Sequence, residues 1–193
     1  MTLTHEALQQ ILAGERPEGL KIFAGTGHRP DKLGGYNVGT IDRITGLCWS
    51  FLRDHPCHVV ISGMAQGFDQ ALATAAFQHG IPFIAAVPFP HQAYAWPKGA
   101  QLAYSNLLTQ ARHIAIIDQD HDLFGTAEIA QAFKKRNRWM VDRATHIVSL
   151  WDGSGGGTKH CVEYGEHKRR KFYSLWDTWT KGLTDTGDWE RVA

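Results

Sequence analysis

The feature that most constrains this chain is an alternation: short apolar runs ending at Gly, Asp or Pro take turns with longer segments whose apolar residues recur at helical spacing. LKIFAG (20–25), HVVISG (58–63), IPFIAAVPF (81–89), HIAIID (113–118) and HIVSLWDG (146–153) read as buried parallel strands, with KFYSLW (171–176) as a candidate sixth. Between them, Ile41, Ile44, Leu47, Cys48 and Phe51 mark one helix, and Phe68, Leu72, Ala75 and Ala76 the next. Leu102, Leu107 and Leu108, then Ile129, Phe133, Trp139 and Met140, mark two more. With no internal repeat, this order predicts an α/β fold: a single Rossmann-like, doubly wound domain with a mostly parallel sheet. Such sheets bind ligands at the carboxyl ends of their strands, so functional residues are expected in the strand-to-helix loops.

A chain of 193 residues suits one domain with a full core. The expected division is an N-terminal helical extension (1–19), the Rossmann-like domain (20–176) and a C-terminal tail (177–193). A net charge of +1 argues against general coating of nucleic acid, although HKRRK (167–171) is a local basic cluster. Cys48, Cys57 and Cys161 are odd in number and lack paired spacing, which disfavours a disulfide framework or a structural zinc site. No apolar run approaches the roughly 20 residues that span a bilayer, and the N-terminus lacks a signal-peptide core, so a cytoplasmic protein without membrane association is expected. No metal site and no cofactor are expected. The best metal candidate, Asp118, Asp120, His121 and Asp122, resembles a solvated acidic loop tip.

Three loops carry the chemistry. The first follows strand one and contains Gly25, Thr26, Gly27, His28 and Arg29, with Pro30 stiffening the turn. The second contains Ser62, Gly63, Met64, Gly67 and Asp69, and the third Asp152, Gly153, Gly155, Gly156, Gly157 and Thr158. Glycines admit close approach of a ligand, and a following helix offers unpaired N–H groups and a positive dipole end to an anion. Arg29 suits a phosphate by its planar fork, and His28 suits hydrogen bonding or proton transfer. Asp69 is placed either to bind a ribose hydroxyl or to cap its helix, and Asp152 to accept from a sugar or base. GTGHRP is not G-x-G-x-x-G, and no G-x-x-x-x-G-K-[ST] occurs, which disfavours an ordinary NAD site or P-loop.

The segments GTGHRP, SGMAQGFDQ and RNRWMVDRATHIVSLWDGSGGGT together resemble the SLOG superfamily, the first two its YpsA-like branch in particular. The likeness covers most of residues 20–170 and implies a Rossmann-like fold whose glycine loops hold a nucleotide-derived ligand. Comparison with the LOG phosphoribohydrolases of that superfamily matches Met140 and Arg143 to a Met-x-x-Arg segment, and Gly156, Gly157 and Thr158 to a glycine loop that a glutamate follows. Here Cys161 occupies the glutamate's position and Glu163 stands two residues further on, a turn of about 200° around a helix. Arg143 and Glu163 are therefore the catalytic candidates of a hydrolase reading. The Smf/DprA DNA-processing branch is similar around Arg136, Asn137 and Arg138, with Arg138 the ligand-binding candidate.

The first expectation is a protein that binds a nucleotide, an ADP-ribose-like molecule or a cyclic nucleotide signal, as sensor or sequestering agent. The alternatives are a nucleoside 5′-monophosphate N-glycosidase like the LOG proteins, and single-stranded DNA binding through Arg136, Arg138 and the HKRRK cluster, which the near-neutral charge disfavours. The resemblance also implies a homo-oligomer.

Overall fold

A computed structural model describes residues 3–119 and 126–182 of the chain. Asp120, His121 and Asp122 of the metal candidate, and the tail from 183, lie outside the described residues. Six strands form one wholly parallel sheet: β1 (Ile22–Gly27), β2 (Val59–Ser62), β3 (Phe83–Val87), β4 (His113–Ile116), β5 (His146–Leu150) and β6 (Lys171–Ser174). Their spatial order is β4-β3-β2-β1-β5-β6. Consecutive strands step outward from β1 in one direction, then the chain returns to place β5 on the other side of β1. This reversal between β1 and β5 is the switch point at which doubly wound sheets open a crevice.

Every residue of β2, β3 and β5 is buried, as expected of strands covered on both faces, while β4 alternates half-buried and exposed positions because it is an edge. On one face, Phe23, Phe51, Leu72, Phe83 and Trp179 belong to the core beneath α2 (Val38–Asp54), α3 (Phe68–Gln78), α4 (Lys98–Leu108) and α7 (Trp176–Lys181). On the other, Ile22, Ile61, Ile84 and Ile147 meet Ile11, Met140 and Cys161 from α1 (His5–Ala13), α5 (Thr126–Arg143) and α6 (Gly157–His167). Each fully buried aliphatic or aromatic side chain contributes roughly 1.5–3 kcal/mol. The N-terminal helix thus shares the core: Leu8 and Ile11 are buried, Thr4 caps its start by accepting from the Ala7 N–H at 3.1 Å, and Gly14 ends it in the left-handed conformation.

Helix α2 begins with Asn37, whose side chain accepts from the Thr40 N–H at 2.9 Å. At the amino end of the sheet, His146 stacks on Tyr173 with ring centroids 5.6 Å apart and lies 5.3 Å from Phe23. Burial there, helped by Lys171 and Lys21, pushes the imidazole down to about 4.

Candidate anion pocket

A cavity of about 430 Å³ lies at the carboxyl ends of β1 and β5, at the switch point. Its walls come from the loop after β1, the start of α3, the middle of α5 and the start of α6. Three of these are the parts expected from the strand-to-helix loops, and α5 is the addition.

The glycine loop after β5 forms one wall. Gly156 precedes α6 at φ +132°, a backbone angle that side-chain-bearing residues rarely adopt, and no side chain caps the helix behind it. A Cβ at Gly155, Gly156 or Gly157 would meet open space, so these glycines leave room beside the α6 N-terminus. The loop is held from behind: the Thr158 hydroxyl donates to the Gly27 carbonyl at 3.1 Å, and the Asn137 amide donates to the Gly157 carbonyl at 3.0 Å. Thr158 thereby ties α6 to β1.

The opposite side is built on a buried ion pair. Arg136 Nη1 donates to Asp69 Oδ2 at 3.1 Å, with both side chains almost fully enclosed. Burial raises the Asp69 carboxyl, and Arg136 acts against that shift. Gly63 makes the pair possible, since a Cβ there would land on the guanidinium and within 2.7 Å of Asp69 Oδ2. The Arg136 Nε has no hydrogen-bond partner and is buried, an unmet donor in the pocket wall. Nearby, the Ser62 hydroxyl donates to the Asp69 carbonyl at 2.7 Å and accepts from the Met64 N–H at 3.1 Å. These bonds hold Met64 at φ +59°, a strained conformation for a residue with a side chain.

The loop after β1 supplies the floor. His28 is buried, and its Nε2 lies 2.7 Å from Asp152 Oδ1 and 3.1 Å from the Asp152 backbone nitrogen. The ring is thereby held against both the side chain and the main chain of Asp152. Hydrogen bonds from Ser154, with a smaller contribution from His28, hold the Asp152 carboxyl well below the usual range. Lys32 Nζ donates to the Ser154 hydroxyl at 2.6 Å, so the first and third loops are laced together.

Among the lining residues, Arg29, Lys32, Lys134 and Arg136 are cationic, and Asp31 and Asp69 are acidic. With Asp69 committed to Arg136, the remaining balance favours an anion. His160, on the first turn of α6, adds a buried Nδ1 without a partner; burial, then Arg138 and Lys134, depress its basicity.

Of the residues expected from sequence, Thr26, Gly27, His28, Arg29, Asp69, Gly155, Gly156, Gly157 and Thr158 line the cavity. Gly25 instead faces Leu72 and lets α3 pack close on β1, and Gly67 lets the second loop abut the first at the His28 carbonyl. Ser62, Gly63 and Met64 support Asp69 and Arg136 from behind, while Asp152 orients His28. Gly153 stands in the turn ahead of the cavity at φ +89°.

Arg138, Arg143 and Glu163 are not brought to the cavity. Arg138 is exposed, with its guanidinium 5.9 Å from the Tyr164 ring centroid. Helix α5 carries Arg143 away toward the amino end of the sheet, roughly 10 Å along the axis from Arg136. There Arg143 donates to the Leu12 carbonyl at 2.9 Å and lies over Trp139 at 4.0 Å, fastening α1 to the domain. Glu163 is exposed on α6 and pairs with Lys159 at 3.5 Å.

Sequence reasoning left Lys32, Phe133, Lys134 and His160 out of the site, and named Arg136 only for DNA binding and Asn137 only within the Smf/DprA-like segment. One signal for Arg136 was present: it stands three residues after Phe133 and four before Met140, so a charged side chain occupies the apolar face of α5. Among the described residues no group of His, Cys, Asp and Glu is arranged to hold a metal ion, and no helix is long and apolar enough to cross a membrane.

The fold and site define a doubly wound parallel domain whose glycine loops meet at a basic switch-point pocket. Residues 46–187 match the model of the DNA recombination-mediator protein A family, and the chain belongs to that family. It is 30% identical over 145 residues to the uncharacterised SPβ prophage-derived protein YoqJ of Bacillus subtilis (strain 168), covering 70% of this chain and 84% of that one. In structure it is similar to DNA processing protein A from Streptococcus pneumoniae, with a TM-score of 0.59 at 16% identity, covering 86% of this chain and 51% of the other. DNA processing protein A from Helicobacter pylori gives a TM-score of 0.57 at 14% identity, over 86% and 67%. The chain thus spans about half the length of the Streptococcus protein.

Proposed function

We propose that this protein binds a phosphate-bearing nucleotide unit in the pocket at the switch point. The observation that carries the reading is the uncapped N-terminus of α6, flanked by three glycines with open space beside them in a cavity that Arg136 also lines. A phosphate there receives N–H groups, the positive end of the helix dipole and the charges of Arg29, Lys32 and Lys134. About 430 Å³ accommodates one nucleotide, in the lower part of the range for small-ligand sites.

Membership of the DNA recombination-mediator protein A family supports a second reading, in which the bound unit belongs to single-stranded DNA. The similar Helicobacter pylori structure is described by its single-stranded DNA binding mode. The N-glycosidase reading receives less support, because Arg143 and Glu163 stand outside the cavity and Asp69 is already paired with Arg136.

The test incubates the protein with nucleoside monophosphates, ADP-ribose, NAD, cyclic nucleotides and oligothymidylates of increasing length. Binding is followed by fluorescence anisotropy and thermal shift, and the products by chromatography. Saturable binding of an intact mononucleotide supports the small-molecule reading. Affinity that rises with oligonucleotide length and falls steeply with salt supports the DNA reading. Release of free base restores the hydrolase, and absence of binding to every probe refutes the proposal.

A further inference from the structure

The switch-point pocket carries a carboxylate in its wall. Asp69 and Arg136 both line it, so an entering anion meets a negative charge and a cation that is already paired with that charge. Asp69 is 5% and Arg136 7% exposed, and water and salt screen such a pair little. Among the described residues Asp69 is the one carboxylate that pairs with Arg136, through Nη1 at 3.1 Å. The other contacts of the guanidinium are weak: Met140 Sδ lies 3.7 Å from Nη1, the Phe133 ring centroid is 5.7 Å away, and Nε has no partner. Turning the guanidinium from Asp69 therefore breaks one strong bond, and Gly63 presents no side chain to hold it in place.

We infer that a phosphate and Asp69 compete for Arg136, so that the anion binds together with one proton from solvent, which the Asp69 carboxylate takes up as the guanidinium turns to the ligand. This rests on the proposed phosphate binding. A carboxylate that is enclosed, deprived of its cation and set beside a second anion is stabilised by protonation. Burial already pushes the Asp69 carboxyl up, and Arg136, the Ala65 N–H and Arg29 act against that shift. The other titratable groups that sense Asp69 are the thiols of Cys48 on α2 and Cys161 on α6, both kept neutral by burial. His28, Asp31, Lys32, Lys134 and His160 share the cavity wall with it. The free chain holds Asp69 ionised through Arg136, and the complex holds it protonated. Affinity for the anion therefore rises as the pH falls, by up to about tenfold per unit between the Asp69 values of the two states.

The experiment is titration calorimetry on the full chain at pH 6, 7 and 8, each in two buffers of different ionisation enthalpy, which counts the protons taken up on binding. The probes are ADP-ribose, 3′,5′-cyclic AMP and thymidylyl-(3′→5′)-thymidine, whose phosphates keep a fixed charge over this range, with thymidine as the uncharged control. Uptake approaching about one proton is expected for a phosphate-bearing probe and none for thymidine. Asp69→Asn, with its folding checked by thermal melting, abolishes the uptake and flattens the dependence of affinity on pH. Infrared difference spectra of the wild-type chain with and without the probe need no variant, and should gain the C=O stretch of a protonated carboxyl. Uptake that persists in Asp69→Asn belongs to a histidine of the wall and overturns the inference. Binding without uptake at every pH, or without the carboxyl band, also overturns it and leaves the phosphate site standing. Binding of none of the probes overturns both.

Discussion

Replacing Arg136 by Met isolates the buried pair that shapes the pocket. Methionine keeps much of the length and removes the charge, leaving Asp69 enclosed without its partner. With Nη1 and Oδ2 3.1 Å apart, the charge centres are roughly 4 Å apart, and Coulomb's law at an effective dielectric near 20 gives about 4 kcal/mol of attraction. Breaking a buried pair from one side costs about 3–5 kcal/mol, a large part of the roughly 5–15 kcal/mol that stabilises a domain. The cost depends on pH. Burial already raises the Asp69 carboxyl, and without Arg136 it rises further, so the folded variant takes up a proton more readily than the unfolded chain. The penalty is therefore full above the folded-state value and shrinks by up to about 1.4 kcal/mol per pH unit below it. Urea unfolding at pH 7.5 and pH 5 measures this. Arg136→Met is expected to lose about 3–5 kcal/mol at pH 7.5 and less at pH 5, while Asp69→Asn/Arg136→Met recovers most of the loss. If the single variant costs under about 1 kcal/mol at pH 7.5, or the double costs as much as the single, the account of a charge stranded in a closed wall is wrong.

Gly156→Ala forces a side chain onto a backbone at φ +132° and crowds the α6 N-terminus. It should destabilise the chain by about 1–3 kcal/mol and weaken nucleotide binding at least about tenfold, read by thermal unfolding and anisotropy. Arg143→Gln removes the bond to Leu12 and the contact with Trp139, and Glu163→Gln removes only an exposed pair. The first is expected to lower stability by about 1–3 kcal/mol while leaving nucleotide affinity within about twofold, and the second to change neither appreciably. His146, depressed from 6.5 to about 4, stays neutral in the fold while the unfolded chain takes up a proton. Its stabilising contribution is complete above pH 6.5 and is lost as the pH falls toward 4. After discounting for partial solvent contact this amounts to about 2 kcal/mol, and His146→Phe should flatten that limb of the stability profile in urea titrations.

The sequence by itself determined the layers and the site's general place. Strands buried on both faces must be continuously apolar and helices between them must be apolar every third or fourth residue, so six strands and their order along the chain could be read directly. Even β6 was legible, through Phe172 and Tyr173, although Lys171 opens it and it lies at an edge. The glycine loops were legible too, because few residue types tolerate such turns. Tertiary structure decided which loop residues face the cavity and which hold the loops together. Gly155, Gly156 and Gly157 border open space, whereas Gly25, Gly63 and Gly67 accommodate Leu72, Arg136 and the first loop. It also chose among three arginines of the matched segments: Arg136 reaches the pocket, and Arg138 and Arg143 do not. The physical reason is that seven residues, about 10 Å of helix, separate Arg136, in the stretch of α5 that lines the cavity, from Arg143 at the end that holds α1, and motif spacing does not encode which stretch meets the switch point. The pairing of Arg136 with Asp69, 67 residues apart in the chain, exists only once the sheet order brings the second loop beneath α5.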